Sequence, residues 1–595
     1  MRVANLALEN FRGIKTGKIH FRQHTVLIGA NNTGKSTIVE ALTLLLGRDK
    51  LIRELSEHDF YGSNPQPADR IKLIATITGF DGNDPDEHPD WFREGRAVPK
   101  WLDDETGTVY AMPTSPTWTL CCQIAAQAYF DSESLSVEFI RYFHDHDNPL
   151  DPFSGDSPVP VPPKLIRQFG YFLVRANRSW DKIFSWGSEL FRRTVQVAGA
   201  QPASAILSER DRLRQPENPI ELDEQIKPLI MNVNRELGRC MPQAPELQLR
   251  LTNTDSKAVL DAVAAHFSSG EGLSVPATRQ GSGLISLQGL MLLLELGRVR
   301  AASGDSFIMA LEEPEIHVSP PTQTQLVHRV QGLSTQTFVT THSPTVAAVA
   351  DPTSVLILRN SGGTLSAEPF LSSPLSPASK AWQRKLFQQM RVEVLSALMH
   401  AQLLIPEGRS DFSLMRNIAR TLALVDGWES TMEHPFGLDV GLIPTEDAQV
   451  VETFKALARV HSSVACLVDG DAAGLNYARS LCKLERQPNA VLRWNDGAVM
   501  EDIVRWIFEA DSDGALSALG DLRVPSPQTI EEVIEYMTAN KTDFVAHETV
   551  ADVIANNLPC QQRAKKLFSA MSAACKGIDS PHFKQDASGV WVFRQ

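Results

Sequence analysis

Residues 25–37, Thr25-Val26-Leu27-Ile28-Gly29-Ala30-Asn31-Asn32-Thr33-Gly34-Lys35-Ser36-Thr37, join an apolar run, a glycine-rich turn and a lysine followed by two hydroxyls. The spacing Gly29-x-x-x-x-Gly34-Lys35-Ser36 lets the backbone curl until successive N–H groups and a helix N-terminus point at one anion. In this Walker A pattern Lys35 reaches the β- and γ-phosphates of a nucleotide such as ATP, and Ser36 ligates Mg²⁺. Residues 26–28 read as a short buried strand, and Lys35 opens a helix with Ile38, Val39, Leu42 and Leu45 inward. The bland alternative is an ordinary glycine-rich turn. It leaves the order of strand, loop and helix to coincidence.

A carboxylate pair later in the chain fits the same chemistry. Phe307-Ile308-Met309-Ala310-Leu311 is an apolar strand ending in Glu312-Glu313-Pro314-Glu315, the Walker B arrangement. There Glu312 holds Mg²⁺ through water and Glu313 polarises the attacking water. Another strand, at 338–339, runs into Thr340-Thr341-His342-Ser343. Read alone, His342 is more often a hydrogen-bonded core histidine; just after a Walker B strand it reads as a γ-phosphate sensor. Between the two halves, Gly281-Ser282-Gly283 opens a long apolar helix at 284–296.

A second chemistry occupies the C-terminal part. Leu403-Leu404-Ile405-Pro406 is an apolar strand ending in Glu407-Gly408, with Asp411 at the start of a helix that carries Phe412, Met415 and Ile418. Residues 464–468 form another buried strand, ending Asp469-Gly470-Asp471. Both motifs put carboxylates at the C-terminal edge of apolar strands, where open α/β sheets build their sites. Crowded there, the acids repel one another unless a cation joins them, and hard oxygen ligands favour Mg²⁺ or Mn²⁺ over zinc. A lone Asp-x-Asp is a common surface feature; two ordered motifs, each after a buried strand, are not.

The Walker A motif at 29–36, Gly281-Ser282-Gly283, Glu312 to Glu315 and Thr341-His342-Ser343 together resemble an ABC-type ATPase of the RecF/SMC kind. That resemblance implies ATP-dependent engagement of two heads, with the signature of one completing the site of the other. The signature here, Arg279-Gln280-Gly281-Ser282-Gly283, departs from the usual Leu-Ser-Gly-Gly-Gln. Glu407…Asp411 followed by Asp469-x-Asp471-x-x-Gly474 resembles the Toprim domain of topoisomerases, primases and certain nucleases. The two in one chain resemble the OLD (overcoming lysogenization defect) family of ATP-dependent endonucleases, to which the Gabija nuclease subunit also belongs. The resemblance implies Glu501, in Met500-Glu501-Asp502-Ile503, as a further metal-binding acid. For the family's C-terminal lysine it implies Lys565 or Lys566, neighbours on a helix that cannot share a face. It also implies DNA as substrate, a homodimer or higher homo-oligomer, and in some systems a neighbouring UvrD-like helicase.

The elements that must position these groups follow. Strands are expected at 3–8, 18–21, 71–78, 117–125, 135–143 and 169–174, the last followed by Arg175 and Arg178, with surface loops at 82–89 and 147–163. The expected class is α/β: an ABC-type ATPase at 1–182 and 247–375, interrupted by a helical insertion at 183–246. A linker at 376–398, within a Ser-, Pro- and Gly-rich stretch that begins near 360, leads to a Toprim domain at 399–552 and a basic helical segment at 553–595. In the insertion, Ile220, Ile226, Leu229, Ile230, Val233 and Leu237 lie near helical spacing; the stripe packs on its own domain or forms a subunit interface.

Composition bounds the rest. At 595 residues the chain exceeds one core, and 43% hydrophobic with 22% charged content is ordinary for a soluble protein. No apolar run approaches the roughly 20 residues that span a bilayer, and the charged N-terminus lacks a signal peptide's apolar core, so a cytoplasmic protein without a membrane partner is expected. Seven cysteines without a C-x-x-C pair indicate neither a disulfide framework nor a zinc ribbon. A net charge of −14 argues against a uniformly basic coat. The acidic excess after residue 400 reverses at 553–595, which holds six basic and two acidic side chains. The expected activity is a metal-dependent DNA endonuclease in antiphage defence or DNA processing. A topoisomerase needs a nucleophilic tyrosine in an added module and a primase a zinc module, and neither is recognisable. The rival from another class is a DNA-gated ATPase clamp of DNA repair without nuclease activity.

Overall fold

Alternating apolar residues at the N-terminus fold into an antiparallel hairpin, β1 (Arg2–Phe11) and β2 (Ile14–His20), with Phe11 opposite Ile14 across the Arg12-Gly13 turn. The computed structural model describes residues 1–48, 54–93, 96–176, 188–197, 199, 203–241, 243, 245–268, 270, 272, 274–425, 435–541 and 543–595. The chain divides into two compact units: Met1–Arg167 with Ala310–Pro314 and Gln336–Gln595, and Gln168–Met309 with Glu315–Thr335.

The first unit contains a large sheet built from β1, β2, β3 (His24–Ile28), β4 (Ile71–Thr78), β5 (Lys100–Asp103), β6 (Thr108–Tyr110), β7 (Thr119–Asp131) and β8 (Ser136–His144). Strands β9 (Phe172–Val174), β10 (His266–Phe267) and β11 (Val275–Pro276) belong to the second unit. The sheet continues with β12 (Ile308–Glu312), whose residues from Ala310 belong to the first unit, β13 (Gln336–Thr340), β14 (Val355–Ser361) and β15 (Thr364–Pro369). Its order runs β6-β5-β7-β4-β1-β2-β15-β14-β3-β13-β12, with β8 on β7. The Walker strand β3 lies between two parallel partners, β13 and β14. Val26, Leu27, Ile28, Phe338 and Val339 are fully buried, which explains why these strands are apolar throughout rather than alternating.

The Ser-, Pro- and Gly-rich stretch from about 360 and the linker expected at 376–398 both contain regular structure. Residues 355–369 form a hairpin whose turn uses Gly362 and Gly363, both at positive φ. The helices Ala381–Arg384 and Arg391–Ala397 flank a π-helical turn that buries Leu386 and Phe387. The Ser, Pro and Gly content reports a hairpin turn and helix starts, and Leu386, Phe387, Val394 and Leu395 supply apolar anchors.

A second sheet follows in the same unit: β16 (Gln402–Pro406), β17 (Val440–Leu442), β18 (Val464–Val468), β19 (Ala490–Arg493), β20 (Phe583–Gln585) and β21 (Trp591–Phe593). Its order is β17-β16-β18-β19-β21-β20, parallel except for the final hairpin. The segment 553–595 is therefore not wholly helical. After helix Leu558–Cys575 the chain adds two strands to this sheet, where Phe583, Trp591 and Phe593 bury against Trp494 and Trp506.

The second unit holds helices Glu189–Val197, Ala203–Arg214, Lys227–Cys240, Ser282–Ala302 and Pro320–Leu333 among its described residues. It is helical where an insertion was expected, but it extends past 246 to include the helix opened by Gly281-Ser282-Gly283. Arg178 and residues 183–187 lie outside the described residues. Of the apolar stripe, Ile230 is buried while Leu229 and Leu237 are exposed. Ser282–Ala302 is long and apolar enough to cross a membrane by length and composition, beyond the sequence expectation; half of its most apolar window is buried, and it packs on Glu189–Val197 and Pro320–Leu333.

Candidate functional site

The first site forms where β3 turns into helix Lys35–Leu46. Gly29 has φ 156°, and a Cβ there would lie 2.7 Å from the Leu358 carbonyl oxygen and 2.9 Å from Thr33 Oγ1; Gly34, the helix N-cap, has φ 101°. Asn32 also takes a positive φ. The loop is tied by Thr33 Oγ1 donating to the Ala30 carbonyl at 2.9 Å, while Asn31 and Asn32 are exposed. Lys35 Nζ donates to the carbonyls of Gly29 and Ala30 at 2.8 and 2.9 Å. Burial lowers the Lys35 pKa to about 8, with the Glu313 carboxylate opposing the fall. Ser36 is exposed and Thr37 half-buried in the first helical turn.

Strand β12 delivers Glu312, buried, and Glu313, whose N–H donates to the Thr340 carbonyl at 2.8 Å. Glu313 has φ 46°, an uncommon conformation for a non-glycine residue that tends to persist at functional positions. Its Oε1 lies 4.0 Å from His342 Nε2. Thr341 N–H reaches back to the Leu27 carbonyl, which fixes the end of β13 beside the phosphate loop. Lys35, Glu313 and His342 are thus gathered at adjacent strand ends. Gly281, Ser282 and Gly283 belong to the other unit, where Gly281 caps helix Ser282–Ala302.

The second site is assembled at the C-terminal ends of β16 and β18, which are adjacent and parallel. Glu407 follows β16, and its Oε2 accepts the Asp469 N–H at 2.8 Å. Asp411 sits in the first turn of helix Arg409–Ala423 and caps it, with Oδ2 accepting the Gly408 N–H at 3.1 Å. Asp471 caps helix Ala472–Cys482 by accepting the Gly474 N–H at 2.8 Å. Gly470 is required between the two aspartates, because a Cβ there would meet the Asn495 carbonyl oxygen at 1.8 Å. From helix Met500–Phe508 comes Glu501, 4% exposed, whose Oε2 is buried with no hydrogen-bond partner.

The electrostatics follow from this crowding. Burial, then the charges of Asp411, Glu407, Glu501 and Asp471, raise the Asp469 pKa to about 8. Burial and then Glu501 raise Asp411 to about 6. Burial also lifts Glu407, against the hydrogen bond from Asp469. Buried acids with raised pKa values are the mark of a cluster built for an added positive charge. The oxygen-only donor set and the orphaned Glu501 oxygen fit hard divalent cations. The acids are spread rather than gathered round one point: among the described residues, the trio whose ligand atoms lie within 4.8 Å is Asp145, His146 and Asp147.

Three groups at this site carry no motif. Lys541 Nζ lies 3.6 Å from Glu501 Oε1. Burial works against its ammonium, but Glu501, Asp411 and Asp469 outweigh burial and hold its pKa above the ordinary value. Asp447 Oδ1 accepts the Arg409 N–H at 3.1 Å, and His547 Nδ1 lies 3.2 Å from Ser413 Oγ. Lys541 is the lysine whose charge acts on Glu407 and Asp411. Lys565 and Lys566 are not among the principal charges on Glu407, Asp411 or Asp469. They sit on Leu558–Cys575, a helix that buries Ala564, Leu567, Phe568 and Met571 and leaves Lys566 exposed.

Residues 1–87 and 181–347 match the family described as AAA ATPase domain. The chain therefore carries an ATP-binding ATPase domain in its mixed α/β fold. Among solved structures, an SmcHead bound to the C-winged helix domain of ScpA is 12% identical, with TM-score 0.35, over 62% of this chain and 97% of that one. The SMC head domain from Thermotoga maritima is 14% identical, with TM-score 0.27, over 62% and 99%. An Smc head domain with an extended coiled coil, bound to a ScpA C-terminal domain derived from Pyrococcus furiosus, is 13% identical, with TM-score 0.33, over 61% and 95%. No curated protein matches the chain.

Proposed function

We propose that this protein is an ATP-binding, divalent-metal-dependent DNA endonuclease of the OLD type, pairing an ABC-type ATPase with a Toprim nuclease domain. The observation that carries the reading is the neighbourhood of buried Asp411 and Glu501 with half-buried Glu407 and Asp469, which together with burial raises Asp469 to about 8, with a Glu501 oxygen left without a partner. Such a cluster is unfavourable by itself and makes chemical sense around cations.

Glu407, Asp411, Asp469, Asp471 and Glu501 would hold two Mg²⁺ or Mn²⁺ ions. When bound, these would supply an activated water and stabilise the leaving 3′ oxygen of a phosphodiester. Lys541 then offsets negative charge developing on the phosphate, the role expected of Lys565 or Lys566 from sequence. In the ATPase part, Ser36 and Glu312 would hold the nucleotide's Mg²⁺, Lys35 binds the phosphates, Glu313 orients water and His342 senses the γ-phosphate. DNA is the macromolecular partner, the working form is a homodimer or larger assembly, and defence against phage or DNA processing is the setting.

The decisive experiment incubates supercoiled plasmid with the full chain in Mg²⁺ or Mn²⁺, with and without ATP. Nicked or linear product that disappears with chelator and in Asp469→Ala supports the endonuclease. Intact plasmid in every metal favours the ATPase clamp.

A further inference from the structure

Beside the carboxylates stands an aromatic ring partly open to solvent, packed edge-on against His547 and under the Arg409 guanidinium. Phe544, at the start of helix Phe544–Asn556, is 42% exposed, and the next residue, Val545, is 72% exposed. The Arg409 guanidinium lies 5.7 Å from the Phe544 ring centroid, within cation–π range. Arg409 itself is exposed and sits between Glu407 and Asp411, and its own N–H is held by Asp447. Three residues before Phe544 is Lys541, paired with Glu501.

The pair is held in place. Helices Arg409–Ala423 and Phe544–Asn556 run side by side in the same direction: Arg409 meets Phe544, Ser413 meets His547, and Thr421 Oγ1 donates to the Ala551 carbonyl. Both N-termini therefore open toward the carboxylates. Asp543 caps the second helix through the N–H groups of Val545 and Ala546, and the Tyr536 hydroxyl donates to its other oxygen at 2.9 Å.

We infer that Phe544, braced by Arg409, is a stacking platform for an unpaired nucleobase next to the scissile phosphate, so that the substrate is DNA with a single-stranded or unpaired segment at the cut. In a continuous duplex each base face is covered by its neighbours, and only a frayed, looped or single-stranded base offers a face to an aromatic ring. Arg409 and Lys541 supply the positive charge that a phosphate backbone tracks on either side of that base. The inference rests on the nuclease reading and names its substrate class.

The test uses the full-length protein in Mn²⁺ and compares initial cleavage rates on a single strand, its blunt duplex and the same duplex with a central unpaired bubble. The wild type is expected to favour the single strand and the bubble. Phe544→Ala should reduce that preference about 5- to 100-fold, the usual worth of one stacked base, and Phe544→Trp should retain it. In Ca²⁺, 2-aminopurine placed beside the mapped cut should be quenched on binding wild type and Phe544→Trp but not Phe544→Ala. Equal wild-type rates on all three substrates, or unchanged preference and quenching in Phe544→Ala, overturn the platform and leave the nuclease intact. Absence of wild-type cleavage on every substrate overturns the nuclease reading, and the platform with it.

Discussion

The backbone N–H of Asp469 donates to the side chain of Glu407 at 2.8 Å, joining the ends of two adjacent parallel strands. One acid is thus positioned by the other's main chain, while their carboxylates compete for the same positive charge. Replacing Asp469 by Asn keeps this hydrogen bond and removes the carboxylate whose ionisation burial and the neighbouring acids oppose. Cleavage should fall roughly 100-fold or more with nucleotide binding unchanged, since the ATPase residues lie on the other sheet. Without metal, the variant should melt higher than wild type near neutral pH, because the unfolded wild-type chain ionises Asp469 freely whereas the fold, which raises its pKa to about 8, keeps it protonated. It should also lose most of the rise in melting temperature that Mn²⁺ gives the wild type. A wild-type response to Mn²⁺ would remove Asp469 from the metal site.

Lys541 and the two lysines singled out by sequence make separable predictions. Lys541→Ala leaves Glu501 buried without its cation and, under the proposed nuclease reading, removes a positive charge from beside the scissile phosphate. Single-turnover cleavage at saturating DNA should slow at least roughly tenfold. Lys565→Ala and Lys566→Ala should cut at wild-type rates and at most flatten the salt dependence of DNA binding by about one charge. If Lys566→Ala slows cleavage at saturating DNA and Lys541→Ala does not, the assignment is reversed.

In the ATPase part, Lys35→Ala should abolish nucleotide binding, because its ammonium is the charge held over the loop carbonyls. Glu313→Gln keeps the shape of the turn and should bind nucleotide while hydrolysing it roughly 100-fold more slowly. Equilibrium binding of a fluorescent nucleotide, with phosphate release measured alongside, separates the two effects. Undiminished hydrolysis in Glu313→Gln would move the water-orienting role elsewhere.

What the sequence made legible is what local chemistry imposes. Gly29, Gly34 and Lys35 are readable because a phosphate loop needs small residues at fixed offsets. Glu312, Glu407 and Asp469 are readable because each closes an apolar strand. Lys541 was not, since it follows helix Ile530–Ala539 with no motif and reaches Glu501 only through tertiary packing. Asp447 and His547 are hidden for the same reason. The hairpin at 355–369 was missed because its Ser and Gly turn outweighed the apolar alternation on either side. The C-terminal strands were missed because six residues from Phe583 and Trp591 are too short a signal to oppose a helical segment beside them.

The last prediction concerns stability and a histidine outside both sites. His144 ends β8, is 3% exposed, and its Nδ1 has no hydrogen-bond partner. Burial is the main reason its pKa falls to about 4; the Lys72 charge adds to the fall and Asp145 opposes it. Because the folded value lies below the unfolded value near 6.5, the unfolded chain takes up a proton first as pH drops. No penalty exists above about pH 7. It grows through the window between about 6.5 and 4 and is complete below it. At pH 5 the loss attributable to this one group is of order 2 kcal/mol. His144→Phe keeps a ring against Tyr142 and cannot be protonated. Comparing denaturant unfolding of wild type and variant at pH 7 and pH 5 isolates the term, since the carboxylates that also titrate are common to both. The variant should lose less stability between the two pH values; an equal loss would show that His144 accepts its proton within the fold.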